Sequence, residues 1–280
     1  MSFDLETTTT MDDQRFWDAC QLREQGKLVE AYHAFSKLAE ETTDRIDKAG
    51  VLLHAAKTLK LLEQYEEATA QLSAVRALVA DSLPSHSAPD ERVEHLEIYL
   101  DYEDADLCWK QGKNEEALTK FERALERYKR QLREPDLRGF YEIMQTCRAF
   151  ILADLDRWRE AMPILEDARA FTEYKEGIAF YLGHCYLSAG DYGRAEEKLT
   201  DALKLGLPNS LEYRAYCELG ITYYELRDYA KAKQEFAKCA ERADASYINQ
   251  SQIWKWLEST CRNLGLRDEA ERYARLAVPS

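Results

Sequence analysis

A small residue returns along this chain at a nearly fixed interval: Ala31, Ala68, Ala117, Ala161, Ala195, Ala232 and Ala270. The gaps between them are 37, 49, 44, 34, 37 and 38 residues, and each alanine opens an amphipathic stretch of helical period. A repeat of this length marks one supersecondary unit stacked on copies of itself, so that each copy packs on its neighbours and no single central core forms. The composition suits helix almost throughout. Of 280 residues only 11 are Gly and 6 are Pro, whereas Ala, Leu, Glu, Lys, Arg and Gln, which favour helix, abound. An apolar content of 45% lies in the globular range and argues against a disordered chain.

The clearest unit runs from Ala179 through Leu182, Gly183 and Tyr186 to Gly190-Asp191-Tyr192, and then through Ala195, Leu199 and Ala202 to Pro208. Spacings of three and four place Leu182, Gly183 and Tyr186 on one helical face and Ala195, Leu199 and Ala202 on another. Gly183 and Ala195 are small where two helices cross closely, and Gly190-Asp191 stops the first helix so that the chain reverses. Tyr216, Leu219, Gly220, Tyr223, Tyr229, Ala232, Phe236 and Ala240 repeat the pattern, and Trp254, Leu257, Cys261, Gly265, Ala270, Ala274 and Ala277 form a degenerate copy. This pattern resembles the tetratricopeptide repeat, W-x2-L-G-x2-Y followed by A-x3-F, A and P over about 34 residues. The resemblance is strongest over 176–243 and extends in skeleton over 12–278. It implies an all-α, right-handed α-solenoid of about seven helix-turn-helix repeats forming a single superhelical domain, with units starting near 12, 49, 98, 142, 176, 213 and 251. Residues 81–91, with Pro84 and Pro89 among serines, read as a loop insertion, and residues 1–11 as a flexible acidic tail. The start of the chain, at Met1 or Met11, is left open by the sequence.

A net charge of −14 argues against nucleic-acid binding, which ordinarily requires a basic domain. The basic residues Arg123, Arg127, Lys129, Arg130, Arg133 and Arg138 are interleaved with Glu126, Glu134 and Asp136 and read as a solvated helix face. Seven cysteines, with no Cys-x-x-Cys pair, read as reduced core thiols of a cytoplasmic protein. There is no apolar signal sequence and no run of apolar residues long enough to span a membrane.

No Gly-rich phosphate loop, His-Glu-x-x-His or Gly-x-Ser-x-Gly motif occurs. The five histidines are isolated, and zinc requires three or four ligands. No catalytic residue, metal or cofactor is expected, and the chain reads as a non-catalytic scaffold. The family resemblance implies that first helices of successive repeats line a concave groove taking a peptide or protein segment. Register then places Ile143, Thr146, Cys147, Phe150 and Asp154 on that face in the fourth unit, and Phe180, Tyr181, His184, Leu187 and Ser188 in the fifth. Arg214, Cys217, Glu218, Ile221, Tyr224 and Glu225 follow in the sixth, and Gln252, Lys255, Trp256, Ser259 and Arg262 in the seventh. Tyr99, Tyr102, Glu103, Asp106 and Trp109 occupy the equivalent face of the third. The expected peptide contacts are Phe150, Phe180, Tyr181, His184, Arg214, Tyr224, Lys255, Trp256 and Arg262, with aromatic anchors and with Arg214, Lys255 and Arg262 facing acidic or carboxylate groups. An alternative is self-association of the chain, as a homo-oligomer, through terminal apolar residues such as Tyr273 and Val278.

Overall fold

The computed structural model describes residues 13–81, 91–131, 138–169, 174–242 and 250–277. Expectations that fall on the tail, on most of the 81–91 loop, on Arg133 and Val278, and on the side chains of Arg130 and Arg138 lie outside these residues. Every described element is an α-helix, and the helices come in pairs. The pairs are α1 (Gln14–Glu24) with α2 (Leu28–Glu41), α3 (Arg45–Leu61) with α4 (Tyr65–Ala80), and α5 (Glu91–Lys110) with α6 (Asn114–Gln131). They continue with α7 (Arg138–Asp154) and α8 (Trp158–Ala168), α9 (Lys175–Ser188) and α10 (Tyr192–Leu205), α11 (Asn209–Glu225) and α12 (Tyr229–Arg242), and α13 (Gln250–Asn263) and α14 (Arg267–Leu276).

One backbone device makes all the pairs. The turn inside each pair holds a single residue in the left-handed region: Gly26, Glu63, Gly112, Asp156, Gly190, Arg227 and Gly265, with φ between 58° and 77°. The residue after it returns an N–H to a carbonyl in the last turn of the first helix, as Asp191 does to Tyr186 and Asp228 to Tyr223. Orphan carbonyls at the helix end are thereby satisfied while the chain reverses. Several first helices open earlier than the repeat register places them. In α3, Asp44 accepts from the amides of Ile46 and Asp47, both at 2.9 Å, and so caps the helix upstream of the repeat signature. The wide intervals between Ala68 and Ala161 coincide with the 20-residue α5 and the 18-residue α6.

The chain divides into two compact units, Met1–Ile151 and Leu152–Ser280, with the boundary inside α7. In the first, Phe16, Ala31 and Phe35 form a core with Val51 and Ala55. A second core joins Leu53, Leu59, Leu72, Val75, Leu96, Leu100, Tyr128 and Met144. In the second unit, Ala232, Phe236, Cys239, Ile253 and Leu257 form the core under Trp254 and Trp256. The expected close crossings occur here. A Cβ on Gly183 would sit 2.6 Å from Leu199 Cγ, and one on Gly220 would sit 2.6 Å from two carbons of the Phe236 ring. Within each unit, first helices of successive pairs also touch: α3 meets α5 in one, and α11 meets both α9 and α13 in the other.

The expected solvated basic face takes a different form. Asp101 on α5 is fully buried and is approached by Arg123 at 2.8 Å, Arg76 at 3.3 Å and Arg127 at 3.4 Å. Arg127 also reaches Glu97 at 2.5 Å. These arginines answer a buried carboxylate, because an ionised group removed from water must be paired. Among the described residues of the patch, Lys129 stays on an exposed face and pairs with Glu126 at 3.2 Å.

Candidate functional site

In the unit Leu152–Ser280, the face shared by the end of α7 with α9, α11 and α13 carries a connected polar and aromatic cluster. Asp154 ends α7. It accepts from Arg214 on α11 at 3.0 Å and from the Tyr181 hydroxyl on α9 at 3.2 Å. One turn beyond Arg214, Glu218 stands at the i+4 position, and its Oε1 lies 3.0 Å from His184 Nδ1 on α9. A carboxylate only accepts, so His184 carries its proton on Nδ1. The Arg214 guanidinium lies 4.0 Å from the same Glu218 oxygen. It covers the Phe180 ring, 5.1 Å from the centroid, and approaches Tyr181 at 5.9 Å.

The electrostatics follow from this crowding. Burial lowers the proton affinity of Arg214, but Asp154, Tyr181 and Glu218 together outweigh it and the guanidinium is held more firmly protonated than usual. Burial raises the Tyr181 hydroxyl far above the ordinary phenol range, and Asp154 adds to the rise. Burial also pulls the His184 imidazole down, but the charge and hydrogen bond of Glu218 override it and the net shift is upward. Glu218 is only 9% exposed, and its Oε2 is covered without a hydrogen-bond partner.

A second cluster continues along the same face. The Tyr224 hydroxyl on α11 lies 2.7 Å from Ser259 Oγ and accepts from Asn263 Nδ2 at 3.1 Å, both on α13. Trp256 stands edge-on to Tyr224 at 5.2 Å and stacks on Phe236 at 5.6 Å with the rings 13° apart. Lys255 and Arg262 are exposed on α13, and Arg262 reaches Glu258 at 2.6 Å.

The sequence-predicted site residues therefore separate. His184, Arg214, Tyr181 and Phe180 come together, as do Tyr224 and Trp256. Phe150 belongs to the other unit, where it is 7% exposed and faces Trp109 at 6.1 Å. Phe180 and Tyr181 are 0% and 2% exposed. They are not the surface anchors that register suggested, because Arg214 and their own T-shaped contact at 5.0 Å cover them. Tyr99 packs on Phe140 at 4.4 Å and Tyr102 on Phe121 at 5.6 Å, while Glu103 and Asp106 both hold Lys60. Tyr273 stacks on Trp254 at 5.8 Å, which occupies one face of its ring. Asn263 was not among the register positions, and its role depends on reaching Tyr224 39 residues back. Among the described residues no group of three His, Cys, Asp or Glu stands ready for a metal ion, and no helix is long and apolar enough to cross a membrane.

The tetratricopeptide repeat model matches residues 213–245, the pair built from α11 and α12. No curated protein matches the sequence. Among solved structures, the apo form of the quorum sensor NprR from B. thuringiensis aligns with a TM-score of 0.73 at 13% identity, over 94% of this chain and 74% of that one. A Rap protein complexed with Competence and Sporulation Factor aligns with a TM-score of 0.67 at 15% identity, over the same shares. A tetratricopeptide repeat protein from Parabacteroides merdae ATCC 43184 aligns at 0.56 and 12% identity, over 95% of this chain and 91% of that one. The match identifies a tetratricopeptide repeat at 213–245, and along the rest of the chain the paired helices are similar in fold to those of these repeat proteins.

Proposed function

We propose that the chain is a non-catalytic interaction scaffold, and that the face formed by α9, α11, α13 and the end of α7 binds a peptide or protein segment. The observation that carries this reading is the pair of polar and aromatic clusters along these helices, one of Asp154, Arg214, His184 and Glu218 and one of Tyr224, Ser259 and Asn263 with Trp256. Helix faces exposed to water alone have no need of buried carboxylates cross-linked between three successive helices, since such groups are costly unless they serve packing or recognition. The face offers partly exposed polar donors and acceptors beside the Trp256 and Tyr224 rings, a mixture suited to a polypeptide's amides and side chains. A protein of the same fold, the Rap protein, holds Competence and Sporulation Factor, which supports a bound partner here. The seven free thiols, five of them buried, support a reducing compartment such as the cytoplasm.

Panning a random peptide library against the full chain tests the reading. Enriched peptides are expected to bind the chain and to weaken when both exposed α13 cations are reversed, as Lys255→Glu/Arg262→Glu. Enriched peptides that bind this variant equally well, or a library that yields no binder, would refute it.

A further inference from the structure

The cluster itself carries information about which side chain of a bound segment it selects. Its one fixed cation is already answered, because Arg214 sits 3.0 Å from Asp154 and 4.0 Å from Glu218. Glu218 is not fully answered: its Oε2 is covered without any hydrogen-bond donor although the residue is nine-tenths buried. A buried acceptor left unmade is costly, so the missing partner is a donor rather than another acid. His184 is the group placed to admit it. The ring holds Glu218 Oε1, yet its side chain is 22% exposed, more than the 12% of the carboxylate beneath it.

Resting on the reading that this face binds a polypeptide, we propose that the Glu218 carboxylate takes a lysine or arginine side chain of the bound segment. The incoming group donates N–H to Oε2, and its charge is attracted by the Glu218 carboxylate. This reverses the sequence expectation that Arg214 meets a ligand carboxylate.

A pH dependence follows. The charged groups facing His184 are Glu218, Arg214 and Asp154. When the ring is neutral, the carboxylate lacks a full counter-ion and favours the ligand's cation. When it is protonated, the imidazolium supplies that charge and competes. Binding therefore strengthens as pH rises through the His184 titration, which lies above the usual histidine value.

The test uses fluorescently labelled nonapeptide pools, degenerate except for a central residue fixed as Arg, Lys, Gln or Glu, titrated by anisotropy with the full chain near pH ~6 and pH ~8. The Arg and Lys pools are expected to bind about tenfold more tightly than the Gln pool, the scale of one charge-assisted hydrogen bond, with the Glu pool weakest. Glu218→Gln, isosteric and still able to meet His184, should level the four pools. His184→Gln should keep the basic preference and remove its pH dependence. Pools that bind alike, or a basic preference that survives Glu218→Gln, overturn this inference and leave the polypeptide reading standing. If no pool binds at either pH, both fall. A basic preference that weakens as pH rises overturns the role given to His184.

Discussion

The substitution Gly220→Ala isolates what the repeat signature does physically. In a solvent-exposed helix it would be favourable, since alanine gains about 1 kcal/mol of helix propensity over glycine. Here the new methyl would lie 2.6 Å from both Cδ1 and Cε1 of Phe236. That ring is fully buried and stacked on Trp256 at 5.6 Å, so it has no room to retreat. Overpacking of this kind costs roughly 1–3 kcal/mol, and an overlap between a Cβ and a rigid ring belongs at the upper end. Setting the propensity gain against it leaves a net loss of roughly 1–2 kcal/mol. Gly193 provides the contrast within the same unit: an added Cβ there meets only Asp191 Oδ1 at 4.0 Å, so Gly193→Ala should be neutral or stabilising. Urea unfolding followed by far-ultraviolet circular dichroism reads both, with midpoints compared because repeat arrays need not unfold in one step. Phe236→Leu should then absorb part of the Gly220→Ala penalty in a double-mutant cycle. A Gly220→Ala protein as stable as wild type, or a penalty undiminished in the Phe236→Leu background, would refute the steric account.

Arg227 occupies the left-handed turn position that glycine fills in four of the equivalent turns. Left-handed backbone costs a non-glycine residue about 1–2 kcal/mol, and glycine gives back part of this through its larger unfolded-state entropy, so Arg227→Gly should raise the urea midpoint; an unchanged or lower one would remove backbone strain from the explanation. In the other unit, Lys60 lies between Glu103 and Asp106, with side chains only 10%, 6% and 11% exposed. Lys60→Met strands two buried acids and should cost about 3–5 kcal/mol, most of it recovered in Lys60→Met/Glu103→Gln/Asp106→Met; equal stability of the single and triple variants would contradict this.

The fold was legible because small residues and rings recur in phase, and those are the positions where backbone approach leaves no freedom of choice. Gly183 and Gly220 mark crossings with no space for a Cβ, and glycine marks four of the turns within pairs. The other turns were obscure because Glu63, Asp156 and Arg227 hold the same conformation with side chains that carry no such signal. Register also grouped Asp154, His184, Arg214, Glu218 and Tyr224 on the face of the candidate site. Its chemistry was not legible. Arg214 and Asp154 are 60 residues apart and Tyr224 and Ser259 are 35 apart, so their pairing depends on the offset between successive helices. Aromatic residues misled for a related reason: the repeat uses rings both in its core and at partly exposed positions, and composition does not separate Phe180, fully buried, from Trp256, half-buried.

Glu218 is one of several buried polar side chains with an unpartnered atom, and its surroundings set it apart from the others. Asp101 Oδ2 lacks an ideal hydrogen bond, yet Arg127 Nε stands 3.4 Å away and two further arginines serve the same carboxylate. His54 Nε2 belongs to a ring enclosed by Phe16 at 4.8 Å and Phe35 at 5.5 Å, with no exposed surface. Burial, helped by the Arg23 charge, holds that imidazole well below its usual range, so it stays neutral. Asp47 Oδ1 has Arg92 at 3.8 Å, and the Gln145 amide donates to the Tyr141 hydroxyl at 2.9 Å. Lys60, a further buried charge centre on a first helix, has both of its acids in contact. Within this set Glu218 joins an unmade bond to a partly exposed neighbour, His184, on a face shared by three first helices. An unmade bond sealed in a core lowers stability and nothing more, whereas one beside a partly exposed side chain on a helix face would return that free energy to any ligand donor that completes it.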